Sequence, residues 1–158
     1  RSTDRGASFT VVKAGVTGVA GKDAFEGGPA YGVLHDPKKP STLYACVYAG
    51  LYRSTDDGQS WSSAMIGAPL GASCSGQPVA TAEGGHVLAP FDDGNGRRRL
   101  FATTDGATSW KEADGLDARD HADSGVRRFV AHPTAPSTVF VALRSHVGVA
   151  VTRSLGLR

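Results

Sequence analysis

The 158-residue chain has one methionine, two tryptophans and two cysteines, and no apolar run approaches the length of a membrane-spanning helix. The cysteines, Cys46 and Cys74, have neither a metal-type spacing nor a Cys-x-x-Cys pattern. They leave two options, one disulfide or two buried thiols, and no metal site is expected. A surplus of one charge is lacking too: 17 Lys and Arg stand against 15 Asp and Glu, a formal net charge of +2. That balance gives no attraction to nucleic acid or to a membrane surface. The densest basic stretch, Arg97, Arg98 and Arg99, follows the turn-like DDGNG without interleaved aromatics and reads as a solvated hairpin flank. No signal peptide is visible, which a mature exported chain would also lack. A helical period is absent as well; WKEADGLDARDHADSG comes nearest, and Gly115 among its aspartates reads as a loop.

What the chain has in quantity is glycine, 21 residues, with eight prolines, placed between short apolar runs. That placement points to many tight turns in an all-β domain. LYRSTDDGQSW, ending at Trp61, returns as LFATTDGATSW, ending at Trp110, and the chain opens on RSTDRGASF. The hydroxyl residues opening the motif are Ser2, Ser54 and Thr103, and Ser154 near the end takes the same place after an arginine. The period is therefore about fifty residues. A second motif keeps the same clock: HDPKKPSTLYA from His35 matches AHPTAPSTVFV from Ala131, each a proline-bounded turn between apolar runs. Strands are expected at 8–12; at 30–34, 42–47, 51–53 and from Trp61; at 78–81, 86–89, 99–102 and from Trp110; and at 126–131, 138–143 and 147–152. The repeats span roughly 1–12, 28–66, 74–113 and 124–154 of a single unit covering 1–158. Four short strands per fifty residues is the habit of a β-propeller blade.

STDDGQSW, with Ser54, Asp56, Gly58 and Trp61, and STDRGASF, with Ser2, Asp4, Gly6 and Phe9, resemble the Asp-box, or BNR, repeat at every defined position. TTDGATSW, with Thr103, Asp105 and Trp110, departs from it: Gly106 directly follows the aspartate and Ala107 takes the usual glycine place. The resemblance implies blades of four antiparallel strands with the motif in the hairpin between third and fourth strands. There the aspartate and hydroxyl accept backbone N–H bonds, the glycine supplies a positive φ, and Trp61, Trp110 and Phe9 turn inward. One acid per repeat in one turn is a fold device, so Asp4, Asp56 and Asp105 are read as structural and not as catalysts. A glycosidase instead needs two unlike carboxylates facing one cleft.

Asp-box propellers include sialidases, xyloglucan-cleaving endoglucanases, sortilin-type receptors and photosystem assembly factors, and AYGVLHDPKKPSTLYACVYAGLYRS looks most like an endoglucanase blade. Where that group carries an acid after its second strand, this chain has Tyr48, and the last repeat has RSHVG. The remaining candidates are Glu26, Asp120 and Asp123 for catalysis and Tyr31, Tyr48 and His121 for ligand binding, all expected near the mouth of inner strands. Tyr31, Tyr48 and Phe91 could stack on a sugar or pack within blades; His35, His132 and His146 read as turn residues. The leading expectation is a secreted, non-catalytic module, extracellular or periplasmic, that binds a glycan or protein without a cofactor. The alternatives are a piece of a polysaccharide-cleaving glycoside hydrolase and an assembly factor of the photosystem type. Three blades' worth of strands implies further blades in a longer chain, or two copies closing a six-bladed ring.

Overall fold

The computed structural model describes residues 1–10, 15–17, 29–93, 98–113, 126–135, 138–143 and 149–152. Every regular element among them is a strand, in three sheets. The first contains β1 (Gly15–Thr17), β2 (Ala30–Asp36), β3 (Lys39–Val47), β4 (Gly50–Ser54) and β5 (Ser60–Ser63). The second contains β6 (Ser73–Cys74), β7 (Val79–Ala80), β8 (Val87–Asp92), β9 (Arg98–Thr103) and β10 (Lys111–Glu112), and the third β11 (Val126–Ala131), β12 (Val139–Leu143) and β13 (Val149–Thr152). β2 to β5 form an antiparallel meander, repeated by β7 to β10 and, for three strands, by β11 to β13. Glycine- and proline-rich connections force this layout, because each short apolar run must reverse before it can lengthen.

The expected strands lie within one to three residues of their observed positions, with one exception. The leading strand at 8–12 does not form over its described part, 8–10. The Thr10 N–H donates to the Arg1 carbonyl at 2.8 Å and the Arg1 amino group donates to the Thr10 carbonyl at 2.7 Å, so the segment closes on its own turn. The strand appears later, as β1, and pairs in parallel with the outer strand β5.

The three aspartate turns share one wiring diagram. In each, the hydroxyl of Ser2, Ser54 or Thr103 donates to the aspartate two residues on, at 2.6, 2.7 and 2.7 Å, and accepts the N–H of Gly6, Gly58 or Ala107. The aspartate then accepts the N–H and hydroxyl of Ser8, Ser60 or Ser109. The displaced glycine of the third turn leaves the path intact. Two successive residues are left-handed in every copy: Arg5 and Gly6, Asp57 and Gly58, Gly106 and Ala107. The glycine has moved to the first of the two positions.

Burial of the turn aromatics differs from expectation at Phe9. Trp61 and Trp110 are 8% and 3% exposed, whereas Phe9 is 77% exposed and belongs to none of the three apolar clusters. Its ring lies against its own turn, near Gly6. The last repeat is also shifted. Ser54 pairs with Leu43, Thr103 with Val87, and in the third sheet Thr152 pairs with Val139. Strand register thus gives Thr152 the place held by Ser54 and Thr103, while Ser154 lies outside the described residues.

First and second sheets are stapled at several points. Cys46 of β3 and Cys74 of β6 form a disulfide, which resolves the two options left open by the sequence. Arg53 donates to the Gly106 carbonyl at 2.7 Å, and the Trp110 indole donates to the Ala64 carbonyl at 2.7 Å. Asp36 accepts the Gly85 N–H at 2.6 Å. Between them lies a core of Tyr44, Leu51, Ala89, Phe91, Phe101 and Trp110, with the Phe91 and Trp110 rings edge to face at 5.3 Å. Leu88, Leu100, Val139 and Val141 join the second sheet to the third.

Candidate functional site

β2, β7 and β11 are the first strands of their meanders and lie on one side of the assembly. Two cavities run along them. The larger, about 510 Å³, sits where these strands begin and takes its polar groups from Tyr31, Gln77, Arg98 and Arg128, with Val79 and Phe129 among its apolar walls. The smaller, about 380 Å³, sits at the hairpin end, beside His35, Thr81 and His132.

Local structure fixes the polar set. Gln77 lies over Gly32, where an added Cβ would come within 2.9 Å of its side chain, so the glycine admits the glutamine into the cavity wall. Tyr31 is half-buried against the core between first and second sheets. Arg98 opens β9, and its Nε lies 3.6 Å from Asp92, an ion pair too long for a hydrogen bond; among the described residues that buried nitrogen has none. Arg128 is exposed on β11. The site therefore offers two guanidinium groups, an amide and a phenol in a largely apolar hollow, an arrangement suited to binding.

Among the sequence candidates, Tyr31 lines the larger cavity. Tyr48 is 58% exposed beyond β3 and lines neither cavity. Phe91 is fully buried in the core and cannot stack on a ligand. Glu26, Asp120, His121 and Asp123, with His146, lie outside the described residues. Neither cavity is lined by an Asp or Glu among the described residues, and no group of His, Cys, Asp and Glu there could hold a metal ion. Arg98, expected in a solvated flank, instead lies half-buried in the wall of the larger cavity, and Arg128 went unremarked because a strand-borne arginine shows its neighbours only once the sheets are packed.

The hairpin end adds a residue that sequence reasoning passed over. Asp36 is 1% exposed; its Oδ1 accepts the N–H groups of Lys38 and Lys39, and its Oδ2 those of Gly85 and the Tyr44 hydroxyl. Burial, reinforced by the Asp36 charge, pushes the Tyr44 phenol up to about 12. At the matching point of the third sheet, His132 Nδ1 accepts the N–H groups of Thr134 and Ala135. An imidazole there does the work of a carboxylate. His35 lies beside the first turn and donates to the Pro40 carbonyl at 3.0 Å, and these two histidines hold turns as expected.

The acids of the repeated turns stay ionised by local bonds. Hydrogen bonds from Ser60, then Ser54, hold Asp56 at about 2, and those from Ser2 and Ser8 push Asp4 lower still. At Asp105 partial burial works upward, but the hydroxyls of Thr103 and Ser109 and the adjacent N–H groups outweigh it and leave about 2.

The same backbone occurs in solved structures. An ancestral GH74 enzyme superposes with a TM-score of 0.60 at 19% identity, over 81% of this chain and 18% of that one. YCF48 from Cyanidioschyzon merolae gives 0.61 at 14% identity, over 83% of this chain and 36% of that one. The GH74 xyloglucanase from Xanthomonas campestris gives 0.58 at 20%, over 78% and 20%. This chain folds as a partial β-propeller. It spans about a fifth to just over a third of the length of those proteins. No protein-family model and no curated protein sequence matches it.

Proposed function

We propose that this partial propeller belongs to an Asp-box binding module, non-catalytic and exported, that takes a segment of another protein or a glycan at the start of its inner strands. The observation that carries the reading is the larger cavity, where Tyr31, Gln77, Arg98 and Arg128 converge among apolar walls. Such a surface offers orientation and charge to a ligand, and among the described residues its lining contains no Asp or Glu. The disulfide supports an oxidising compartment, extracellular or periplasmic. Peptide recognition on this fold has a precedent in YCF48 bound to D1 peptide, which matches at a TM-score of 0.56 and 16% identity.

A titration of xyloglucan oligosaccharides and of acidic and neutral peptides, followed calorimetrically, tests it. The expected result is binding that Gln77→Ala and Arg128→Ala weaken, with no new reducing ends released from the sugar. A second reading, favoured by the likeness to two GH74 enzymes, makes the chain part of a polysaccharide-cleaving hydrolase. Release of reducing ends that Glu26→Gln, Asp120→Asn or Asp123→Asn abolishes would replace the first reading with the second. The likeness to YCF48 favours a third, an assembly factor, which capture of a membrane-protein precursor would select.

A further inference from the structure

One position recurs in each of the three sheets, at the far end of its first strand. Leu34, Val79 and Val130 hold matching registers, since each pairs with a residue that pairs onward to the one just before the opening hydroxyl. Two places further on stand Asp36, Thr81 and His132. Asp36 accepts the N–H groups of Lys38 and Lys39, and His132 those of Thr134 and Ala135, so both side chains close their own turns. The Thr81 side chain does not. Its backbone carbonyl accepts the Gly84 N–H at 3.3 Å, and the Gly85 N–H goes to Asp36 of the neighbouring sheet at 2.6 Å. These donors are satisfied without the Thr81 hydroxyl, which is fully buried and has no hydrogen-bond partner among the described residues. Folded proteins rarely leave a buried hydroxyl unpaired, and one left so points to a missing partner.

Thr81 lines the smaller cavity together with His35 and His132, because β7 packs against both β2 and β11. Each imidazole has one nitrogen committed. His35 Nδ1 donates to the Pro40 carbonyl, which leaves Nε2 of the neutral ring as an acceptor. His132 Nδ1 accepts two N–H groups, which puts the proton of the neutral ring on Nε2 as a donor. That same commitment bars His132 from ligating a metal, since its proton would have to move to a nitrogen already facing two N–H groups. Among the described residues no Asp, Glu, Lys or Arg lines this cavity, and Pro37, Pro78, Pro133 and Val79 make its wall largely apolar.

We infer that the smaller cavity is a second binding site, for an uncharged secondary amide carrying a small alkyl group. Gln77 and Val79 line both cavities and so stand between this site and the larger one. The amide brings one N–H for His35 and one carbonyl for His132, and the carbonyl's second lone pair accepts the stranded Thr81 hydroxyl. Its alkyl group lies on the prolines. An anion would meet no Lys or Arg in this lining, and a polyol would carry more hydroxyls than the wall can satisfy. Acetamido sugars and peptide bonds both contain the required group.

Saturation-transfer NMR on the 158-residue chain tests this with N-acetylglucosamine and N-acetylalanine methylamide, against glucose and acetate. Saturation should reach the acetyl methyl of the amides and scarcely reach glucose or acetate; a response from one amide alone supports the inference and identifies the source. Thr81→Val should weaken amide binding about fivefold, the loss of one uncharged hydrogen bond. It should also leave the free chain at least as stable as the parent, because the deleted hydroxyl had no partner. His132→Asp keeps the turn's acceptor but presents no Nε2–H, and should weaken binding about tenfold while the melting temperature stays close to the parent's. Absence of binding by either amide, or binding that both variants leave unchanged, overturns the inference. So does a loss of binding in Arg128→Ala instead, which would move the ligand to the larger cavity. A Thr81→Val chain less stable than the parent would show the hydroxyl already bonded to an ordered water, and would overturn it as well.

Discussion

Asp36 at the end of β2 and the backbone N–H of Gly85 in the adjoining sheet are 2.6 Å apart. One buried carboxylate therefore holds its own hairpin and the next sheet's hairpin together. Asp36→Ala strands four donors and should lower unfolding stability by about 3 kcal/mol. Asp36→Asn should recover only part, since an amide cannot accept on both sides. Urea unfolding of the two variants checks this; equal stability to the parent would refute it.

Tyr44 makes the same cluster sensitive to alkali. Its folded value of about 12 lies above the ordinary 10, so the fold favours the neutral phenol. That contribution is complete below pH 10 and is lost as pH rises from 10 through 12. Melting temperature should fall over this window, and Tyr44→Phe should flatten the fall.

Acid acts through the repeated turns with the opposite sign. Asp56 and Asp105 are depressed from 3.8 to about 2, and Asp4 is depressed further. Depressed carboxylates stabilise the fold above pH 3.8, and the contribution disappears as pH falls through 2. A pH series of melting curves should show this acid limb, shallower in an Asp56→Asn, Asp105→Asn double variant. An unchanged limb would assign it to other groups.

Reduction should separate the first two sheets. Cys46 and Cys74 are 28 residues apart, a loop whose closure stabilises by about 3.5 kcal/mol on the chain-entropy account. Cys46→Ala with Cys74→Ala should lose most of that, measured against the oxidised parent. Hydrogen exchange should quicken first in β6, which has only two residues of ladder to hold it.

The His132 turn predicts a substitution pattern. His132→Asp keeps an acceptor for Thr134 and Ala135 and should leave stability close to the parent. His132→Ala should cost about 1 kcal/mol. Thermal melts of the pair distinguish a turn-holding imidazole from a surface one.

Most of the fold was legible because turns and periods are local. A glycine between apolar runs, or Asp after a hydroxyl, states its role within eight residues. Phe9, the disulfide and Asp36 depended on what lies across the chain. The opening motif keeps every defined position of the pattern, yet among the described residues Phe9 has no apolar cluster against it. HDPKKP announces a hairpin but not that its aspartate reaches Gly85, forty-nine residues on. The larger cavity was legible only at Tyr31, since Gln77 and Arg128 become neighbours through sheet packing alone.

The hairpin position occupied by Asp36, His132 and, in the second sheet, the fully buried Thr81 carries a broader consequence. A carboxylate, an imidazole and a hydroxyl have each come to rest at one place on one backbone path. A repeat that tolerates such exchange can drift far in composition while its trace stays fixed. One backbone trace can then be written in very different letters, consistent with three-dimensional likeness at 14–20% identity.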